Sequence, residues 1–176
     1  MISKVMELAI AAGLEIMQVY SRDFAVEYKD DSSPLTLADT NAHRVIEKGL
    51  MAIAADIPVI SEEGRLIPYE ERRHYGRFWL VDPLDGTKEF IKRNGEFTVN
   101  IALIEGCRPV AGVIYAPALG LSYFAAKGKG AFRTKDGRTG PIRVSDYRND
   151  VLKVAASRSH RGELLEHFLK EAGDSR

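Results

Sequence analysis

The chain has 176 residues, with 25 Lys and Arg against 25 Asp and Glu and a formal net charge of zero. That length supports one domain with a substantial core, and charges of both signs spread along the sequence argue against a dominant footprint for nucleic acid or an anionic membrane. A single cysteine, Cys107, excludes an intramolecular disulfide and suits a reducing compartment; within Glu105-Gly106-Cys107-Arg108-Pro109 it reads as an incidental thiol in a hairpin turn.

Val5 to Met17 is rich in apolar residues, but Glu7 and Glu15 interrupt any signal-peptide core. Val5, Leu8, Ala12, Ile16 and Val19 recur on one side at helical spacing, and Lys4, Glu7, Ala11, Glu15 and Gln18 on the other. This pattern predicts an amphipathic helix packed on a core, and no stretch approaches the ~20 uninterrupted apolar residues of a membrane span. Phe24 to Lys29 is predicted to be extended, followed by a polar loop ending at Pro34. Thr36 and Asp39 have the spacing of a capping box, with aspartate in place of the usual Glu or Gln. The helix they begin carries Ala42, Val45, Ile46, Leu50 and Ile53, and Pro58 follows its end. As a helix-start carboxylate Asp39 needs no further role.

Pro58 to Ser61 predicts a short strand that runs into Glu62 and Glu63. Successive strand side chains face opposite ways, so only one of the pair can face a given site; taken by itself, a Glu-Glu-Gly loop is more often a solvated turn. Arg65 to Gly76 is a charged surface loop with room for a short helix. Phe78-Trp79-Leu80-Val81 then predicts a buried strand, which Pro83 is expected to stop. Gly86 permits a sharp turn, and Thr87 stands where a short helix, Lys88 to Lys92, begins. Asp82 and Asp85 thus sit at a strand's C-terminal edge beside the amides of a helix start. Hard cations take carboxylate oxygens and helix N-termini attract phosphate. Asp-Pro and Asp-Gly pairs are also ordinary turn chemistry, for which solvated or capping aspartates suffice.

Beyond this stretch the pattern is antiparallel β. Phe97, Val99, Ile101 and Leu103 alternate with Thr98, Asn100 and Ala102, and the turn at Gly106 to Pro109 leads into Val110 to Tyr115. Leu121 to Ala126 and Ile142 to Val144 are predicted strands, punctuated by Gly128, Gly130, Asp136, Gly137 and Gly140. Val151 to Ala156 predicts a strand, Ser157 to Gly162 a polar loop, and Glu163 to Ala172 a helix with Leu164, Leu165, Phe168 and Leu169 on its apolar face. These elements divide the chain into an N-terminal domain, 1–149, and the start of a second α/β subdomain, 150–176. A lone strand-loop-helix has no sheet of its own to join and leaves apolar surface exposed.

Trp79-Leu80-Val81-Asp82-Pro83-Leu84-Asp85-Gly86-Thr87-Lys88-Glu89-Phe90 resembles the signature of the inositol monophosphatase superfamily, magnesium-dependent and lithium-sensitive phosphatases. The continuation to Ile104 resembles its branch of 3′(2′),5′-bisphosphate nucleotidases, and the resemblance runs from Met1 to about Gly173. It implies an α+β fold, a layered α/β sandwich with two N-terminal helices on an antiparallel sheet. It also implies a phosphoric monoester hydrolase in which Glu62, Asp82, Asp85 and the Leu84 carbonyl hold two or more Mg²⁺. Glu62 and Thr87 would then orient the attacking water, supported by Asp39, while Asp85, Gly86, Thr87 and Lys88 engage the reacting phosphate. Ser157, Arg158 and His160 are candidates for a nucleotide's other phosphate, although a capped helix start with solvated basic residues accounts for them equally.

The implied substrate is a small nucleotide, 3′-phosphoadenosine 5′-phosphate from sulfate assimilation, cleaved to AMP and phosphate. The implied location is the cytoplasm, peripheral to the inner membrane at most, with no nucleic-acid partner and a homodimer left open. An inositol monophosphatase-like sugar phosphatase is the alternative within enzymes. The family's later Trp-Asp motif, which adds a metal-ligating aspartate, has no counterpart, since the only tryptophan is Trp79. The chain therefore reads as truncated before that motif, and an inactive remnant is the alternative outside enzymes.

Overall fold

A computed structural model of the chain describes residues 1–22, 25–28, 34–144, 154–155 and 162–172, which fall in two compact units, Met1–Arg143 and Val144–Arg176. In the first unit the order is α1 (Ile2–Tyr20), β1 (Val26–Tyr28), β2 (Pro34–Thr36), α2 (Leu37–Ile53), β3 (Val59–Ser61), α3 (Tyr69–Arg72), β4 (Arg77–Asp85) and α4 (Thr87–Ile91). It continues through β5 (Thr98–Glu105), β6 (Arg108–Ala116), β7 (Leu121–Ala126), β8 (Gly130–Lys135) and β9 (Arg138–Ile142). The second unit contains α5 (Glu163–Glu171).

Strands β3 to β9 lie side by side in sequence order, and β1 pairs separately with β2. All neighbours in the larger sheet run antiparallel except β3 and β4, which are parallel. The sheet is therefore mixed, where alternation alone predicts an antiparallel one. The α+β architecture itself is as expected.

Period-two alternation sends Trp79, Val81, Val99, Ile101, Leu103 and Val113 to one face of the sheet, where all are buried. Val5, Ala9, Ala12 and Ile16 of α1 and Ala42, Ile46 and Leu50 of α2 complete that core, as the 3.6-residue period of each helix requires. Gly49 allows the two helices to meet closely: a Cβ there would lie 2.3 Å from Leu8 Cδ1. Tyr20, Phe90 and Phe97 form an aromatic triangle with ring centroids 5.0–5.2 Å apart, which seats α4 against the end of α1.

Several predicted boundaries shift. Pro83 does not end its strand, because β4 runs on to Asp85 through a register shift between Asp82 and Asp85. A bulge is one of the few places in a sheet where a residue lacking N–H fits. The short helix begins at Thr87 rather than Lys88, with Gly86 as its cap. The strand predicted at 142–144 lies at Arg138–Ile142, and β8 before it was hidden by its own glycine, since Gly130 opens the strand. Of the strand predicted over Val151 to Ala156, Val154 and Ala155 carry no regular structure, and the remainder lies outside the described residues. Helix α5 forms where predicted, with Leu164 and Phe168 exposed and none of its residues buried. Among the described residues no helix is long and apolar enough to cross a membrane.

The packing makes a contrast measurable by chemical denaturation. Ile16 is 0% exposed and Leu14, on the same helix, 60%; Ile16→Ala is expected to cost about 2–5 kcal/mol and Leu14→Ala no more than about 0.5 kcal/mol.

Candidate active site

In a regular strand, residues three apart point to opposite faces. Here Asp82 pairs with Asn100 and Asp85 with Thr98, so one strand advances three residues while its partner advances two. The extra residue flips the alternation and brings Asp82 and Asp85 to the same face, together with Asn100 and Thr98. That face is the one opposite the two long helices, since Val81 and Val99 between them are buried in the core. Glu62 joins them from β3. Ser61 pairs in parallel with Val81, and the Glu62 amide donates to the Val81 carbonyl at 3.1 Å, which sets Glu62 beside Asp82 at the C-terminal ends of two parallel strands. Glu62 and Asp82 border an open cavity of about 800 Å³ on this face, which Asn100, Ile114, Tyr123 and Phe124 also line.

The electrostatics of the three acids are coupled. Burial, then the negative charge of Glu62, then that of Asp85, raise the Asp82 carboxyl from 3.8 to about 7, against a pull downward from the Leu84 amide. A hydrogen bond between Glu62 and Asp82 adds to the rise. Asp82 Oδ1 is buried and has no hydrogen-bond partner. Uncompensated oxygen of this kind, amid like charges, is what a hard cation satisfies. Among the described residues no three acidic, histidine or cysteine side chains close into a metal cage. An open, one-sided set of oxygens instead suits Mg²⁺, which keeps water and substrate oxygens in its coordination sphere. The donor set therefore fits that ion.

Asp39 combines two roles that sequence reasoning sets apart. Its Oδ2 accepts from the Thr36 amide at 2.7 Å and the Thr36 hydroxyl at 2.6 Å. Thr36 Oγ1 in turn accepts from the Ala38 amide at 3.2 Å, giving a complete capping box at the start of α2. Its Oδ1 accepts from Thr87 Oγ1 at 3.2 Å, across 48 residues of sequence. The carboxylate is 1% exposed; burial pushes its pKa up, and the hydrogen bonds from Thr36 and Thr87 restrain the rise. Thr87 Oγ1 also lies 3.2 Å from the Leu84 carbonyl, so one hydroxyl proton serves whichever acceptor is free. Gly86 enables this turn: its φ is +91°, and a Cβ would stand 2.9 Å from the Glu96 carbonyl oxygen.

Of the predicted residues, Glu62, Asp82 and Asp85 gather into one electrostatic group, and Asp39 reaches Thr87 beside the Leu84 carbonyl. Lys88 is an exposed residue of α4. Ser157, Arg158 and His160 lie outside the described residues. Sequence reasoning missed Asn100, whose Nδ2 donates to Asp85 Oδ2 at 3.0 Å. Its only signal in the sequence was a polar amide on the outward positions of the alternation, beside Thr98 and Ala102; its place opposite Asp82 comes from the register.

Comparison with known proteins identifies the fold and the family. The profile described as "Inositol monophosphatase family" matches residues 1–173. The "3′(2′),5′-bisphosphate nucleotidase CysQ" of Salmonella typhimurium is 52% identical over 176 residues, covering 99% of this chain and 70% of that protein. A crystal structure of CysQ from Bacteroides thetaiotaomicron, "a bacterial member of the inositol monophosphatase family", superposes with a TM-score of 0.81 at 38% identity. It covers 96% of this chain, which spans 66% of that one. A Thermotoga maritima IMPase superposes with a TM-score of 0.68 at 30% identity, over 80% of this chain and 52% of that one.

The raised Asp82 carboxyl has a signed consequence for stability. Between pH 3.8 and about 7 the folded chain holds a proton that the unfolded chain has released, so this group's contribution falls as pH rises. In buffer containing a chelator, the melting temperature of Asp82→Asn should gain on that of the unsubstituted chain from about pH 4 to pH 7, then level off. Parallel curves would contradict the assignment.

Proposed function

The chain belongs to the inositol monophosphatase family, and from that membership we propose that it is a Mg²⁺-dependent phosphatase that removes the 3′-phosphate of 3′-phosphoadenosine 5′-phosphate, leaving AMP. The observation that carries the phosphatase reading is the convergence of Glu62, Asp82 and Asp85, with an unpartnered buried oxygen on Asp82, beside the Gly86–Thr87 turn. The nucleotide is supported by the 52% identity to a protein named as a 3′(2′),5′-bisphosphate nucleotidase. The chain spans 70% of that relative.

In this reading Glu62, Asp82, Asp85 and the Leu84 carbonyl hold two or more Mg²⁺ ions. When bound, the ions supply a water of lowered pKa and charge stabilisation at the leaving oxygen. The protein's own part is placement. Thr87 donates its hydroxyl hydrogen bond to Asp39 and with its lone pairs accepts a hydrogen bond from the attacking water, while Glu62 accepts the water's other hydrogen and takes that single proton as attack proceeds. The amides of Gly86 and Thr87, with Lys88, hold the phosphoryl oxygens. Ser157, Arg158 and His160 engage the second phosphate, which is the feature that separates a bisphosphorylated nucleotide from an inositol phosphate. No side chain becomes phosphorylated.

The same reading treats residues 1–149 as the metal- and phosphate-binding domain and 150–176 as a separate segment, which the division near Val144 supports. It also makes the protein cytoplasmic, acting on a small molecule and not on nucleic acid.

Phosphate release with Mg²⁺ present is expected to be faster from 3′-phosphoadenosine 5′-phosphate than from inositol 1-phosphate. Glu62→Gln and Asp82→Asn should each lower it about a hundredfold or more, and Thr87→Ala by about a hundredfold, with unchanged melting cooperativity. The reverse preference would assign the chain to the sugar phosphatases, and no release from either substrate would make it an inactive relative. Full activity in Glu62→Gln would defeat the site assignment.

A further inference from the structure

Asn100 stands beside the acidic cluster without belonging to it. It lies on β5 opposite Asp82, yet its side chain turns along the strand to Asp85, donating from Nδ2 to Oδ2 at 3.0 Å. Its other end is also fixed: Oδ1 accepts from Thr98 Oγ1 at 3.1 Å. The Asp85 carboxylate only accepts, which turns the NH₂ of Asn100 toward it, and the Thr98 hydroxyl, free to donate, then holds the amide oxygen in place. Thr98 is itself the register partner of Asp85, so the bulge that brings the second aspartate round also brings its restraint.

We propose that Asn100 is a positioning residue that fixes one oxygen of Asp85 and turns the other toward a bound divalent cation. The inference rests on the reading of Asp85 as a metal ligand. The choice of an amide follows from the charges around it. A lysine or arginine at this position would neutralise the carboxylate group and compete with a cation for it. An aspartate would donate nothing and add a further negative charge beside Glu62, Asp82 and Asp85. A neutral donor holds the ligand without lowering the site's attraction for metal. Hydrogen-bonded neighbours of this kind are worth about 10–100-fold in metal affinity.

The test titrates the substrate-free chain with Mn²⁺ and follows free ion by electron paramagnetic resonance. Asn100→Leu, similar in size but without a donor, is expected to weaken Mn²⁺ binding about 10–100-fold while the melting temperature in chelator stays within a few degrees. Thr98→Val, which frees the amide to rotate, should weaken binding less and in the same direction. Should Asn100→Leu fail to fold, Thr98→Val alone decides the matter. Unchanged affinity in the folded variants overturns the role of Asn100. Asp85→Asn is the control for the reading beneath it: intact Mn²⁺ binding there removes Asp85 as a ligand, whereas its loss beside an unaffected Asn100→Leu removes only the inference about Asn100.

Discussion

One mismatched register governs the site. Between its pairings at Asp82 and Asp85, β4 contributes one more residue than β5, and the placement of Asp85 follows from where that residue goes. Without it Asp85 would enter the apolar core beside Val81, at a desolvation cost that a lone carboxylate cannot recover. With it, both aspartates share a face with Glu62, and the chain leaves the strand pointed toward Gly86. Pro83 belongs in that irregularity because it has no N–H to forfeit to the ladder. Leu84, at 2% exposure, anchors the distortion in the core.

A second constraint binds this edge to the helical layer. Asp39 closes the start of α2 with one carboxylate oxygen and holds the Thr87 hydroxyl with the other. The first contact accounts for orphan amides at a helix terminus; the second carries the position of α2 directly to the site. Movement of either helix start therefore disturbs the other. The aromatic triangle of Tyr20, Phe90 and Phe97 reinforces the same linkage from below, since Phe90 sits in the short helix that Thr87 begins.

What could be read from the letters alone depended on whether a feature was periodic or conditional. The apolar stripe of α1, the alternation of β5 and the capping-box spacing of Thr36 and Asp39 are periodic or local, and they predict their elements well. The bulge is conditional: Asp-Pro-Leu-Asp is equally consistent with a strand that stops, and only pairing against Thr98 and Asn100 distinguishes the two. For the same reason the residue partnering Asp85 could not be chosen beforehand, because it comes from fifteen positions away across a register that the bulge itself defines. Strand β8 was concealed by composition, since a glycine that opens a strand resembles one that ends a turn. Asp39 differs again: a helix cap and a contact to Thr87 are not alternatives, because a carboxylate has two oxygens and serves both.

The crowding of negative charge also constrains what the site can receive. A phosphate ester arriving at Glu62, Asp82 and Asp85 would meet a buried Asp82 carboxyl raised to about 7 first by its burial and then by the negative charges of Glu62 and Asp85. Direct contact between such an anion and that cluster is unfavourable at any pH where the acids are ionised. Protonating them would relieve the repulsion but would remove the oxygens' ability to bind a cation or accept a proton from water. A divalent ion satisfies both demands at once, since it neutralises the acids and offers positive charge to the ester. In the proposed reading Asp82 gives up its proton when such an ion binds. A neutral amide at Asn100 is compatible with this scheme because it restrains Asp85 without taking over the charge that the ion has to supply.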